Sequence, residues 1–100
     1  MLKVYLDVSK TPKDQKAFTV IRNITDFISL VNKEEVSLLS LDHDLAESNL
    51  ALNVATYLIR KGIFIQYVNF HGFSKAGSLL LKKRLEKRFP DTVITMNCHL

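Results

Sequence analysis

Three acidic side chains and one histidine follow apolar segments of this sequence, in positions where they could take part in chemistry. Asp7 follows the first such segment, Asp42 and Asp44 follow a second, and His71 follows a third. Carboxylates within about 5 Å of each other repel, so one must take up a proton or a cation must join them. Carboxylate oxygens favour Mg²⁺ or Mn²⁺, and such an ion attracts phosphate groups. Because histidine exchanges protons near neutral pH, this set of residues predicts phosphate chemistry.

Each of these residues also has an ordinary structural explanation. Asp7 could cap a turn, and Asp42 and Asp44 could cap the approach to the next helix. His71 could be a buried, hydrogen-bonded structural histidine. His43 faces away from the two neighbouring acids if the strand continues through it. A site is favoured because the acids follow two apolar segments that we expect to be neighbouring strands.

Apolar segments alternate with helical patterns along the chain, which predicts an α/β fold. Strands are expected at Leu2–Leu6, Phe18–Ile21, Val36–Leu41, within Ile63–Phe70 and at Thr92–Met96. Helices are expected over residues 24–31, over residues 51–59 before Gly62, and from a cap at Ser74 to about Phe89. The polar segment Ser9–Lys16 contains Pro12, so an irregular connection is expected there. Right-handed crossovers make such a sheet mostly parallel, and ligands then bind at the carboxyl ends of its strands.

The overall composition is that of one small globular domain. The chain has 100 residues, of which 47% are hydrophobic, and we expect a single domain over residues 1–100. Its one cysteine, Cys98, excludes an intramolecular disulfide and a two-cysteine metal motif. The chain has neither the basic start of a signal peptide nor an apolar segment that could cross a bilayer, which predicts a cytoplasmic protein without a membrane partner.

Basic residues are concentrated near the C-terminus. The formal net charge is +4, and the segment Lys82–Arg88 contains five basic residues and one acidic residue. Such a segment is usually a solvated helix face. It could also attract nucleic acid, although it lacks the interleaved aromatic residues that stack on single-stranded bases.

Three motifs resemble one known family. The segment LSLDHDL at residues 39–45 resembles the "SLDHDLG" signature of cyclic-phosphate processing receiver-like domains. The segment HGFSKAG at residues 71–77 is similar to the family's "HSxNPxG", and DVSKTP at residues 7–12 resembles "DDxRxPP". The chain departs from these motifs at Lys10, Ala46, Ser74 and Lys75, and Val8 stands where the family has a second acid.

The resemblance implies a receiver-like, three-layer α/β domain with a mostly parallel five-stranded sheet and about three main helices. It also implies processing of a cyclic phosphate, at RNA ends or in nucleotide signals. The pattern and the resemblance together assign His71 and Asp42 to catalysis, Asp7, Asp42 and Asp44 to a metal ion, and Lys10, Gly72 and Ser74 to phosphate binding.

Two interpretations of function stay open at this point. The first is a metal-assisted phosphoesterase that uses Mg²⁺ or Mn²⁺, needs no other cofactor, and acts on a cyclic or phosphorylated nucleotide or an RNA end. The second is a catalytically silent receiver-like module that binds a protein or a nucleotide ligand, which the missing acid at Val8 favours. A protein partner or a second copy of the chain is compatible with either.

Overall fold

Five short strands form one parallel sheet in the computed structural model, which describes residues 1–42, 49–72 and 75–96. The strands are β1 (Leu2–Leu6), β2 (Thr19–Ile21), β3 (Val36–Asp42), β4 (Tyr67–His71) and β5 (Val93–Met96). Their order across the sheet is β2-β1-β3-β4-β5, and every pair is parallel. The central strands β1, β3 and β4 are rich in buried aliphatic side chains, as expected for strands of a parallel sheet.

Three helices connect the strands: α1 (Ile24–Val31), α2 (Leu50–Lys61) and α3 (Lys75–Arg88). Helix α1 begins after Asn23, whose side chain accepts a hydrogen bond of 2.8 Å from the backbone N–H of Asp26. Helix α2 ends at Gly62, as the sequence predicts. The longest of these helices has 14 residues, and none in the described part of the chain has the length and apolar character of a transmembrane span.

All three helices pack on one side of the sheet. The connections from β2 to β3, from β3 to β4 and from β4 to β5 run in the same direction across the sheet. Right-handed crossovers in one direction place every helix on the same face. Alternate residues of the strands point to that face and form one core with the helices, including Leu6, Leu41, Phe70, Phe27 and Leu85.

The opposite side of the sheet, here called the loop face, carries Tyr5, Ser40, Asn69 and His71. The segment 8–18 forms the layer next to it and has no helix or strand, in agreement with the expected irregular connection. The ring of Phe18 at the end of this segment meets Tyr5 edge to face, with 6.0 Å between centroids. The receiver-like α/β fold with five parallel strands and three helices is therefore confirmed, and its third layer is an irregular segment.

We expect Gly62→Ala to lower the free energy of unfolding by about 1–2 kcal/mol, because Gly62 has a left-handed φ of 68°. A Cβ at Gly62 would also lie 2.7 Å from an Nη atom of Arg88, although that flexible side chain can move. Urea denaturation measures the effect, with the exposed neighbour Lys61→Ala as the control. Equal stability of the two variants would contradict this explanation of the helix end.

Candidate functional site

Three of the predicted site residues meet at the carboxyl edge of the sheet. Leu6 pairs with Leu41 and Asp42 pairs with His71, so the strand ends of β1, β3 and β4 are level with each other. The relative exposures of Asp7, Asp42 and His71 are 0%, 5% and 5%. These residues can each offer one ligand atom such that all three atoms lie within 4.8 Å of one another. The structure thus brings together three of the predicted site residues, and the roles assigned to them stay predictions.

The Asp7 carboxylate is held by three hydrogen bonds. Its Oδ1 accepts from the backbone N–H groups of Ser9 and Lys10, both at 3.0 Å, and its Oδ2 lies 3.0 Å from Nε2 of His71. Burial alone would raise the pKa of Asp7, but the two backbone bonds and the His71 side chain outweigh it and hold the pKa below its usual value. Asp7 therefore caps a turn and also stays ionised beside the histidine.

The lowered pKa of Asp7 gives this residue a share in the stability of the protein at neutral pH. The folded-state pKa lies below the ordinary value of 3.8. The contribution of Asp7 to the free energy of unfolding is therefore fully present above pH 3.8, and it is lost as the pH falls through the folded-state pKa. We expect the stability difference between the wild type and Asp7→Asn to shrink as the pH falls from about 6 to about 2. Urea denaturation across this range measures it, and parallel losses in both proteins would contradict the assignment.

His71 is fixed by contacts on its ring face and at both ring nitrogens. The ring stacks on Tyr5, with 4.3 Å between centroids and 11° between planes, and Nδ1 lies 2.7 Å from Oγ of Ser40. Since the carboxylate of Asp7 only accepts hydrogen bonds, Nε2 carries a proton. In the neutral imidazole Nδ1 then accepts from the Ser40 hydroxyl. Burial, together with the charges of Asp7 and Asp42, raises the pKa of Tyr5, so its stacked ring stays neutral.

A chain of hydrogen bonds continues from His71 to the edge strand β5. The Asn69 Nδ2 donates to Oγ of Ser40 at 3.2 Å, and the Thr95 hydroxyl donates to Oδ1 of Asn69 at 2.7 Å. In this series of hydrogen bonds each side chain donates to the next one, from Thr95 to the carboxylate of Asp7. The chain therefore selects the neutral tautomer of His71 with its proton on Nε2.

The hydrogen-bonded side chains of Asp7, His71 and Ser40 are of the types found in a catalytic triad. Ser40, however, does not fit the role of nucleophile. Its exposure is 0%, and its oxygen already accepts from Asn69 while its proton is directed to His71. A nucleophile needs an open approach to the substrate. Ser40 is thus a positioning residue that orients the imidazole from below.

The donor set fits a hard divalent cation better than a softer metal. Asp42 and Asp7 supply carboxylate oxygens, which Mg²⁺ and Mn²⁺ prefer. The Asp7 oxygens already accept three hydrogen bonds, and His71 would have to give up its bond to Asp7 or Ser40 in order to ligate. Asp42, assisted by Asp7, is accordingly the principal candidate ligand, and His71 is better suited to hold a proton.

The other predicted site residues are placed as follows. Asp44 and Ser74 lie outside the described residues, as does His43. Lys10 contributes its backbone N–H to Asp7, and a phosphate contact by its side chain stays a prediction. Gly72 directly follows His71 with a φ of 119°, and its role towards phosphate likewise stays a prediction.

Five side chains around the site carry no role in the sequence prediction, namely Tyr5, Arg22, Ser40, Asn69 and Thr95. Tyr5, Ser40 and Asn69 each lie two residues before a predicted site residue, which places them on the same face of the sheet. Arg22 follows β2, and its guanidinium donates to the backbone oxygens of Asp7, at 3.1 Å, and of Lys10. It ties the turn of segment 8–18 to the edge of the sheet.

Comparison with known proteins agrees with this architecture. The family model of the cyclic-phosphate processing receiver domain matches residues 2–87. The matched residues include strands β1 to β4 and the site residues Asp7, Asp42 and His71, and they end before β5. No curated protein and no solved structure gives a significant match.

Proposed function

We propose that this chain, which belongs to the family of cyclic-phosphate processing receiver domains, hydrolyses a cyclic phosphate or a nucleotide phosphodiester at the site of Asp7, Asp42 and His71. The observation that carries the proposal is the His71–Asp7 pair, 3.0 Å apart, beside the Asp42 carboxylate. A histidine oriented by a buried carboxylate is a common arrangement for proton transfer.

His71 is the group that moves the proton in this proposal. Hydrolysis adds the oxygen of water to phosphorus and breaks one ester bond, so a proton must leave the water and another must reach the departing ester oxygen. The imidazole can do both in turn when one ring nitrogen exchanges its bond to Ser40 or Asp7 for a bond to the substrate. The Asp7 carboxylate beside the ring stabilises the imidazolium that forms between the two transfers. The stacked ring of Tyr5 supports the face of the imidazole during these transfers.

Asp42 and Asp7 are the residues that would hold Mg²⁺ or Mn²⁺, with Asp44 as the third predicted ligand. When bound, such an ion supplies charge stabilisation for the phosphate oxygens and offsets the repulsion between the carboxylates. The chain's own contribution is to bring two buried carboxylates to one strand edge. Lys10, Gly72 and Ser74 are the predicted contacts of the phosphate group.

The proposal is tested by incubating the protein with 2′,3′-cyclic nucleotides, 3′,5′-cyclic nucleotides, cyclic dinucleotides and RNA with a cyclic phosphate end, each with Mg²⁺ and with Mn²⁺. We expect turnover of at least one substrate class, abolished in Asp42→Asn and retained in the control Asp91→Asn, which changes an exposed aspartate. No turnover of any substrate, or equal turnover in both variants, would overturn the proposal.

A second candidate is a module that binds a nucleotide without converting it. Val8 favours this candidate, because an apolar side chain with 44% exposure stands where the family motif has a second acid. The same substrate panel separates the two candidates. Binding by calorimetry that depends on Asp42, without any product, would support the silent module.

A further inference from the structure

A groove of about 490 Å³ runs between α2 and α3, on the side of the molecule opposite the loop face. Crossover helices run antiparallel to the strands they connect, so the C-terminal ends of α2 and α3 lie at the amino edge of the sheet. The cationic end of the groove is therefore remote from the candidate site at the carboxyl edge. Its lining consists of Ala55, Thr56, Ile59, Arg60, Leu81, Arg84, Lys87 and Arg88.

The charges of the groove are all of one sign. Arg60, Arg84, Lys87 and Arg88 line it, and none of the described residues that line it is acidic. Arg88 is partly committed to the fold, because its Nε donates to the backbone oxygen of Ile59 at 3.3 Å and its guanidinium carbon lies 5.0 Å from the centre of the Phe89 ring. The other three cations remain available to attract an acidic partner.

Two exposed leucines lie one helical turn N-terminal to residues that line the groove. Leu52 lies one turn before Thr56 on α2, and Leu80 lies one turn before Arg84 on α3. Their exposures are 39% and 53%, so both side chains are accessible to a partner. The two helices thus present an apolar end and a cationic end along one groove.

We propose that the α2/α3 groove binds an acidic amphipathic segment of a partner protein. Apolar anchors of that segment would pack near Leu52 and Leu80, and its carboxylates would pair with Arg60, Arg84 and Lys87. Nucleic acid fits the groove less well, because the lining includes no aromatic side chain for base stacking and its apolar end would find no partner. This inference goes beyond the proposed function and does not depend on it.

The test uses fluorescein-labelled peptides of about 16 residues, in a panel with leucines at varied helical spacings and glutamates on the flanking positions. We expect at least one peptide to bind the full chain, and its counterpart with glutamine in place of glutamate to bind more weakly. The double variant R60E/R84E should weaken binding by more than about tenfold, since reversal removes two ion pairs and introduces repulsion. Leu80→Ser should also weaken it. The control K13E/K16E makes the same change of charge in segment 8–18 and should bind as the wild type does.

Fluorescence anisotropy gives the affinities, and circular dichroism confirms that each variant is folded. His71→Gln should bind the peptide as the wild type does, which keeps this result separate from the outcome of the turnover assay. The proposal is overturned if no peptide binds, or if R60E/R84E and K13E/K16E weaken binding equally. It is also overturned if a single-stranded RNA or an anionic vesicle binds in a groove-dependent way and the peptides do not.

Discussion

Replacing His71 with glutamine is expected to lower the rate of cyclic-phosphate hydrolysis by about 10²–10⁴-fold, the usual contribution of a positioned acid or base. Glutamine keeps a hydrogen-bonding side chain at this buried position but cannot exchange a proton near neutral pH. Initial rates with the substrate identified in the panel measure the loss. A folded His71→Gln variant that retains the wild-type rate would remove the histidine from the mechanism.

Ser40→Ala is the milder substitution with which His71→Gln is compared. It leaves the imidazole in place and removes the hydroxyl that lies 2.7 Å from Nδ1. We expect a smaller loss of rate than in His71→Gln, together with a shifted pH profile, because the hydroxyl that donates to Nδ1 of the neutral ring is lost. This shift distinguishes a positioning role from a purely structural one, which would change stability alone.

Replacing Asp7 with alanine is expected to lower the free energy of unfolding by about 2–4 kcal/mol, because each buried hydrogen-bond donor left unsatisfied costs about 1–3 kcal/mol. The substitution leaves Nε2 of His71 and the N–H groups of Ser9 and Lys10 without their acceptor. The free energy of unfolding of a small domain is about 5–15 kcal/mol in total, so the variant should be only marginally stable. Urea denaturation at neutral pH measures the change.

Asp14→Ala is a matched control, because Asp14 also accepts a hydrogen bond from a backbone N–H two residues later, at 3.2 Å, but is exposed. It should cost less than about 1 kcal/mol. Asp7→Asn keeps an acceptor for the turn, so its loss of unfolding free energy should lie between those of Asp7→Ala and Asp14→Ala. Equal losses in Asp7→Ala and Asp14→Ala would mean that the pair with His71 contributes nothing to the fold.

Much of the backbone follows from local patterns in the sequence. Strand β1 occupies the predicted Leu2–Leu6, because an apolar segment that ends in an acid has only one reasonable boundary. Helix α2 ends at the predicted Gly62, because that residue adopts a left-handed φ at little cost. The meeting of Asp7, Asp42 and His71 also follows from sequence, since parallel strands bring their carboxyl ends to one edge.

The hydrogen-bond network of the site does not follow from the sequence. Strand β3 lies between β1 and β4, so the bond from His71 to Asp7 spans an intervening strand. A strand pattern gives the face of a side chain but not its rotamer. The imidazole orientation depends on the stacking with Tyr5 and the hydrogen bonds to Ser40 and Asp7. Roles for Ser40 and Asn69 become visible only once the strand order is known.

The most direct test of the proposed cation site is a Mn²⁺ titration followed by ¹H–¹⁵N NMR, because the paramagnetic ion broadens the amide signals nearest to it. We expect selective broadening for residues 7–10, Asp42 and His71, and its loss in Asp42→Asn. Unchanged signals, or broadening centred on other acids such as Glu34 and Glu35 in both proteins, would contradict a cation site at the carboxyl edge of this sheet.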